Sequence, residues 1–248
     1  MEQVDAGDGV VMNIVSYGGG VNSTAMTIFL INKSEVPDLI VFCDTGAELP
    51  ATLEYVNYFS TWLKDNAGIE ITTIRKDGEG LYDYCFRKRL VPMRQYRWCT
   101  SDWKIKPFDR YLKQFEGDKI VYIGYDAGED GRVTSALSNY KKYKRPTQVF
   151  PLHEADIDRE GCINIIKVEG LRLPLKSGCF ICPFTKKSAF REMKRNNPSL
   201  FQKALDLEAN CASGHVLRQG HPLTEIDNQC ELNFDYDTPQ PCGCYDGD

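Results

Sequence analysis

The chain has 248 residues, 42% of them apolar and 11% aromatic, with a formal net charge of −5. This is the composition of a globular protein, neither disordered nor collagen-like, and long enough for one large α/β core with an elaborated C-terminal part. It contains no run of eighteen apolar residues and no basic-then-apolar start, so neither a membrane span nor a signal peptide is expected, and the expected location is the cytoplasm.

The first predicted element is a short buried strand over Asn13–Tyr17, followed by a helix over Val21–Asn32 with Met26, Ile28, Phe29 and Leu30 packed inward. A second strand over Asp38–Phe42 runs into "CDTG", and Pro50 opens a helix to about Asp65 with Leu53, Val56, Phe59, Trp62 and Leu63 at helical spacing. Strands follow over Ile69–Ile74 and Lys119–Tyr125, then helices over Asp156–Glu169, Lys186–Arg195 and Pro198–Cys211. Strands separated by helix-length segments predict right-handed βαβ units and a doubly wound, mostly parallel sheet. The expected division is a nucleotide-binding α/β domain over 1–150 and a helical, cysteine-containing region over 151–248. No internal repeat or low-complexity linker is present.

Charge is unevenly spread. Between Arg87 and Lys113 nine Lys/Arg face only Asp102 and Asp109, a local excess that draws phosphates, whereas Glu225–Asp248 holds seven carboxylates and no Lys or Arg. "NYKKYKR", from Asn139 to Arg145, interleaves tyrosines with cations, as a polynucleotide-tracking segment or a solvated loop would.

"SYGGGVNSTA", residues 16–25, occupies the turn between the first strand and the first helix. In a doubly wound sheet ligands bind beyond the carboxyl ends of strands, and successive glycine N–H groups at a helix start make an anion site. Asn22, Ser23 and Thr24 can add side-chain donors; the plainer reading is a tight turn with hydroxyl caps. A Walker loop fails because Val21 and Asn22 follow Gly20 where Lys and Ser/Thr are required. A dinucleotide fingerprint fits Gly18 and Gly20 but meets Ser23 at the third glycine, with Asp44 at the second strand's end in its favour.

The third candidate is the S-G-G-x-D-S pyrophosphate loop, which Gly18, Gly19, Gly20, Val21, Asn22 and Ser23 resemble. Together with "VFCDTGAELPAT", "RWCTSDWKIKPFDRYL", "YIGYDAGEDGR" and "GLRLPLKSGCFICPFTKK", the chain resembles the phosphoadenosine phosphosulfate reductase-like branch of the ATP pyrophosphatase superfamily, including relatives from phages and DNA phosphorothioation systems. Gly18 stands for the usual Ser and Asn22 for the usual Asp, and the Glu-Cys-Gly-x-His segment of sulfonucleotide reductases does not occur.

The resemblance implies a HUP-like, adenine nucleotide α-hydrolase fold and chemistry at the α-phosphate of ATP or a related nucleotide, with Mg²⁺. It assigns the pyrophosphate cradle to Gly18, Gly19, Gly20, Asn22 and Ser23, flanked by Ser16 and Thr24. Asp44, Thr45 and Glu48 are expected at ribose, adenine or a metal, or else as a helix cap with first-turn acids. Arg97 and Lys104 are expected to act, with Asn22 and Ser23, on phosphates during the reaction, and Trp98 supplies a plane for stacking on a base; the plainer reading is an ordinary basic helix start with a buried tryptophan.

Ten cysteines fall well below the density of a disulfide scaffold. Cys179 and Cys182 form C-x-x-C before Pro183, a knuckle that turns two thiolates to one ion or cluster. Cys162 is the expected third ligand and Cys211 the assigned fourth, with Cys99, Cys230, Cys242 and Cys244 competing and His153, His215 and His221 as weaker candidates. A 4Fe-4S cluster is expected, by analogy with related sulfur-transfer enzymes; a structural Zn²⁺ satisfies the same spacing. The resulting expectation is an ATP-using enzyme of sulfur transfer or nucleic-acid modification, with a nucleic-acid acceptor and a sulfur-donor protein as candidate partners. Alternatives are a sulfonucleotide reductase using a tail cysteine and a non-catalytic nucleotide-sensing or nucleic-acid-binding module.

Overall fold

The computed structural model describes residues 11–143 and 146–227, without the side chains of 139–143. The basic cluster at 139–145, Cys230, Cys242, Cys244 and most of the acidic tail therefore lie outside the described residues. In chain order the elements begin with β1 (Met12–Tyr17), α1 (Val21–Asn32), β2 (Leu39–Asp44), α2 (Pro50–Ala67), β3 (Ile71–Arg75) and α3 (Leu81–Lys88). Next come α4 (Trp98–Thr100), which passes through a π-helical turn at Ser101–Ile105 into α5 (Lys106–Leu112), then β4 (Lys119–Ile123), α6 (Asp130–Tyr143) and β5 (Thr147–Val149). The remaining helices are α7 (Pro151–Glu154), α8 (Arg159–Val168), α9 (Lys187–Asn196), α10 (Pro198–Asn210) and α11 (Thr224–Asp227).

The five strands form one parallel sheet in the order β3-β2-β1-β4-β5, as expected for a doubly wound α/β fold. Ile14 of β1 pairs with Leu39 of β2 on one side and Val121 of β4 on the other. Chain order reverses across β1, between β2 and β4, and such a reversal opens a crevice at the strands' carboxyl ends. Among the described residues, no helix is long and apolar enough to cross a membrane.

The described residues cluster into two compact units, each assembled from separated segments: 11–43, 50–74, 107–143 and 146–177 in the first; 44–49, 75–106 and 178–227 in the second. The boundary expected near residue 150 falls inside the first unit. In that unit α1 buries eight of its twelve residues, which explains its nearly all-round apolar sequence, and it packs on α8. Tyr17 stacks on Phe59 at 5.5 Å and Phe59 on Trp62 at 5.5 Å, joining β1 to α2. Helix α8 begins at Arg159, later than the predicted Asp156, because Asp156 is left-handed (φ 52°) and Asp158 caps the helix, accepting from Gly161 N at 2.8 Å.

The second unit has its own core of Trp103, Phe180, Ile181, Phe190, Phe201 and Leu207. Two backbone hydrogen bonds, Phe180 N to Ala47 O at 2.9 Å and Leu49 N to Gly178 O at 3.0 Å, tie the segment after β2 to the C-x-x-C stretch. Periodicity missed α3, which is short and polar, and β5, which has three residues, and also α5, α6, α7 and α11.

Cys162, the expected third ligand, is fully buried in the apolar core of the first unit with Met26, Ile28 and Ile166, and burial, reinforced by the Asp126 carboxylate, pushes its thiol up to about 12. It fills space as a small apolar residue, and among the described residues no group of His, Cys, Asp or Glu gathers with it to hold a metal ion. Cys162→Ala is expected to cost about 1 kcal/mol and Cys162→Ser about 2 kcal/mol through an unsatisfied buried hydroxyl, both read by urea denaturation. A Cys162→Ala protein that unfolds with unchanged stability but loses bound metal would restore the ligand role.

Candidate functional site

The glycine turn lies in the first unit, at the exit of β1. Gly19 is left-handed (φ +70°), and a Cβ there would stand 3.0 Å from Thr52 Cγ2. Replacing Gly19 by a β-branched residue therefore strains the fold itself and is no clean test of binding. Gly20 caps α1 without a side chain, and α1 carries no acid in its first turn. Gly20 N donates to Ser23 Oγ at 3.3 Å, and the N–H groups of the first turn of α1 that no side chain caps suit an anion. Thr52 Oγ1 is buried and has no hydrogen-bond partner in the structure. An uncapped helix start, a glycine whose Cβ would crowd the turn and an orphaned hydroxyl beside it fit a phosphate.

Two expected donors are turned inward instead. Thr24 is buried, with Oγ1 donating to Gly20 O at 2.9 Å and 3.0 Å from Tyr17 Oη. Ser23 Oγ lies 3.1 Å from Gly20 O and 3.3 Å from Gly20 N, so it braces the turn. Ser16 sits half-buried within β1, paired with Val41 and Ile123.

Asn22 is the hub. Its Nδ2 donates to Asp126 Oδ2 at 2.9 Å and Glu129 Oε2 at 3.1 Å, while its Oδ1 accepts from Arg159 at 2.7 Å. An amide satisfies this trio with both ends; a carboxylate here would face two others. The carboxylates come from the loop after β4, whose Gly124 lets the chain in: a Cβ there would lie 2.9 Å from both Ser23 N and Ser23 Cα. Sequence reasoning quoted "YIGYDAGEDGR" for the resemblance but assigned no role to Gly124, Asp126, Glu129 or Arg159. Their signal was a glycine and an acid-rich turn directly after a strand.

In the second unit Asp44 is 2% exposed, accepts from Gly46 N at 2.7 Å and receives both Nε (2.8 Å) and Nη2 of Arg75. Both of its oxygens serve the turn and the ends of β2 and β3, which favours the capping reading over a ribose contact. Glu48 is buried; Lys104 Nζ lies 3.1 Å from its Oε1, and Thr45 Oγ1 donates to the same oxygen at 3.2 Å. Cys179 Sγ joins them, 3.1 Å from Thr45 Oγ1 and 3.6 Å from Glu48 Oε1. Burial, then the Glu48 charge, pushes the Cys179 thiol well above its ordinary range, against the pull of Lys104. Lys104 neutralises a buried acid. Trp98 packs in an aromatic cluster, 6.0 Å from Tyr84 and 5.8 Å from Trp103. Arg97 is exposed and left-handed (φ 45°), its guanidinium 5.3 Å from the Phe184 ring centre.

The four cysteines assigned to a metal do not form one donor set. Cys162 is core in one unit, Cys211 packs in the apolar cluster of the other, Cys179 engages Thr45 and Glu48, and Cys182 is half-buried. Among the described residues no group of three or more His, Cys, Asp or Glu gathers to hold a metal ion. The residues described here therefore do not fit the expected cluster or a four-ligand zinc.

A sequence profile for the phosphoadenosine phosphosulfate reductase domain matches residues 12–154, more than half of the chain. The uncharacterized protein MJ0066 of Methanocaldococcus jannaschii is 26% identical over 219 residues, 84% of this chain and 43% of its own length. The uncharacterized protein MJ0973 of the same organism is 26% identical over 201 residues, 77% of this chain and 46% of its own. The chain thus spans less than half the length of these curated relatives. Among solved structures, the U34-tRNA thiolase NcsA from Methanococcus maripaludis with its 4Fe-4S cluster superposes with a TM-score of 0.46 at 15% identity, covering 94% of this chain and 80% of that one.

Asn22→Asp gathers three carboxylates and is expected to destabilise by about 1–2 kcal/mol at neutral pH. Arg159, 2.7 Å from the oxygen concerned, and Arg132 on Glu129 offset part of this repulsion; urea denaturation at pH 7 checks the loss, and unchanged stability contradicts it. Lys104→Met strands the buried Glu48 and is expected to cost about 3 kcal/mol, partly recovered by adding Glu48→Gln. A Lys104→Met protein of unchanged stability would return Lys104 to the substrate-phosphate role.

Proposed function

The chain belongs to the phosphoadenosine phosphosulfate reductase domain family, and from that premise we propose that it acts at the α-phosphate of an adenine nucleotide, in sulfur transfer or nucleic-acid modification. The observation that carries this reading is the turn from Gly18 to Ser23 with Gly124 behind it. N–H groups at the start of α1 bind the β- and γ-phosphates of ATP and stabilise charge on the departing pyrophosphate, while Thr52 Oγ1 supplies a further polar contact. Arg159, held on Asn22, adds positive charge beside the turn. Asp126 and Glu129 are already engaged, by Asn22 and, for Glu129, by Arg132 at 2.6 Å, so they do not fit a resident metal site; Mg²⁺ would arrive with the nucleotide and neutralise phosphate charge there. Asn22 acts as a positioning residue: it orients both acids and Arg159 without itself adding charge. No step is assigned to an iron–sulfur or zinc centre.

A second reading is favoured by the same amide. With residue 22 uncharged and its side chain engaged on both sides, the turn holds a nucleotide without turnover and the protein serves as a sensor or nucleic-acid-binding module. The two separate in one assay, pyrophosphate release from ATP with and without RNA, DNA or small acceptors. The enzyme reading expects acceptor-dependent release, and tight ATP binding with no release under any condition favours the sensor.

Gly124→Ala tests the cradle more cleanly than Gly19. Its Cβ must push Ser23 and the start of α1 aside, so ATP affinity is expected to fall by about tenfold or more with a modest loss of stability. Unchanged ATP affinity measured by calorimetry in the folded variant would overturn the cradle assignment.

A further inference from the structure

The second unit contains a cavity of about 470 Å³ between the stretch Met93–Gln95 and the loop Gly214–Pro222. We propose that it receives an unpaired base of a single-stranded nucleic acid, with the strand's phosphates running over Arg94 and Arg97. The inference rests on the proposed function only in making that strand the acceptor.

The volume falls within the range of about 300–1,000 Å³ typical of small-ligand clefts. Its lining suits a base: Gln95, Gln219 and His215 offer donors and acceptors for an edge, and Val216 and Pro222 offer apolar contact for a face. The wall is firmly built. Glu208, buried on α10, accepts from Leu217 N at 2.8 Å and Leu223 N at 2.7 Å, so one carboxylate pins the middle of the loop and its exit. Gly214 (φ +69°) and Gly220 (φ +77°) supply its left-handed corners. His215 Nδ1 lies 2.5 Å from Ser213 Oγ, which fixes the ring and leaves Nε2 as its second nitrogen.

Phosphate contacts continue past the cavity mouth. Arg94, itself part of the lining, and Arg97, which is not, both set their guanidinium groups over Phe184, at 5.1 and 5.3 Å from the ring centre. Stacking on one ring holds two exposed arginines in place, with their N–H edges available to successive phosphates. Tyr96, 70% exposed between them in sequence, adds a further aromatic surface. A free nucleotide would need one of these arginines; a strand uses both. A base inside a duplex cannot leave its stack to enter a concave pocket without being unpaired, so single strands are the fitting class. The excess of Lys/Arg from Arg87 to Lys113 matches a polyanion.

The test is fluorescence anisotropy with short labelled single strands of RNA and of DNA, with a duplex of the same sequence, and with the mononucleotide as competitor. Wild-type protein is expected to bind single strands more tightly than duplex and more weakly as salt rises, and the tighter of RNA and DNA identifies the source. Arg94→Ala with Arg97→Ala is expected to lose about tenfold in affinity and to flatten the salt dependence. Gln219→Trp, an exposed change that fills the cavity, is expected to lose about tenfold without changing the salt slope, with ATP affinity by calorimetry unaltered and circular dichroism unchanged. Equal binding of duplex and single strand, wild-type affinity in Gln219→Trp, or full displacement by the mononucleotide at its own dissociation constant would overturn the inference. ATP binding without strand binding sinks this inference alone; strand binding of the expected pattern without ATP binding sinks the proposed function alone.

Discussion

The close approach of the β4 exit to the start of α1 is the constraint on which the first unit depends. Backbone meets backbone where a Cβ at residue 124 would lie 2.9 Å from Ser23, so only glycine allows the two loops on either side of the reversal in strand order to share one space. Once they are this near, side chains from distant parts of the chain converge on residue 22. Asp126 and Glu129 arrive from the loop after β4 and Arg159 from the start of α8. Two carboxylates and a guanidinium around a single side chain select an amide, which donates twice and accepts once. The aspartate usual in related loops would need a counter-charge that the amide does not.

The second unit solves a different electrostatic problem. Glu48 is buried and shares one oxygen among Lys104, Thr45 and the Cys179 thiol. The lysine supplies the countercharge and the smaller groups donate to the same oxygen, so a buried acid is tolerated where an isolated one would not be. A thiol in this setting is held protonated. That disposition suits packing and hydrogen bonding and opposes a ready nucleophile. Glu208 repeats the device at the cavity wall, where burial raises its pKa and the two backbone N–H donors oppose the rise.

Much of this fold was legible in the residues. The alternation of strand and helix runs, the glycine turn after the first strand and the inward face of α2 all follow from local periodicity and turn chemistry, and each lies where expected. What periodicity could not show was who meets whom. Asn22 and Asp126 are over a hundred positions apart, and their pairing depends on the β1–β4 neighbourhood, which a parallel crossover hides from any local window. Cys162 was ambiguous for a related reason: a cysteine on the apolar stripe of a helix reads equally as ligand or filler until its neighbours are known, and here they are Met26, Ile28 and Ile166. Lys104 and Trp98 looked like a phosphate grip and a stacking plane, yet one answers a buried acid and the other an aromatic cluster; the exposed cation–aromatic surface is the neighbouring Arg94, Arg97 and Phe184. The division of the chain was hidden too, because both units are built from interleaved segments with no linker to mark them.

The central claim is that backbone N–H groups of the turn after β1 bind the phosphates of an adenine nucleotide. Nitrogen-15 correlation spectra of the protein titrated with ATP test it most directly, since amides that donate to phosphate move far downfield while remote ones do not. The account predicts large, saturable shifts at Gly19, Gly20 and Ser23, reproduced by inorganic pyrophosphate. Shifts confined to other segments, with these three amides unmoved at saturating ATP, would contradict it.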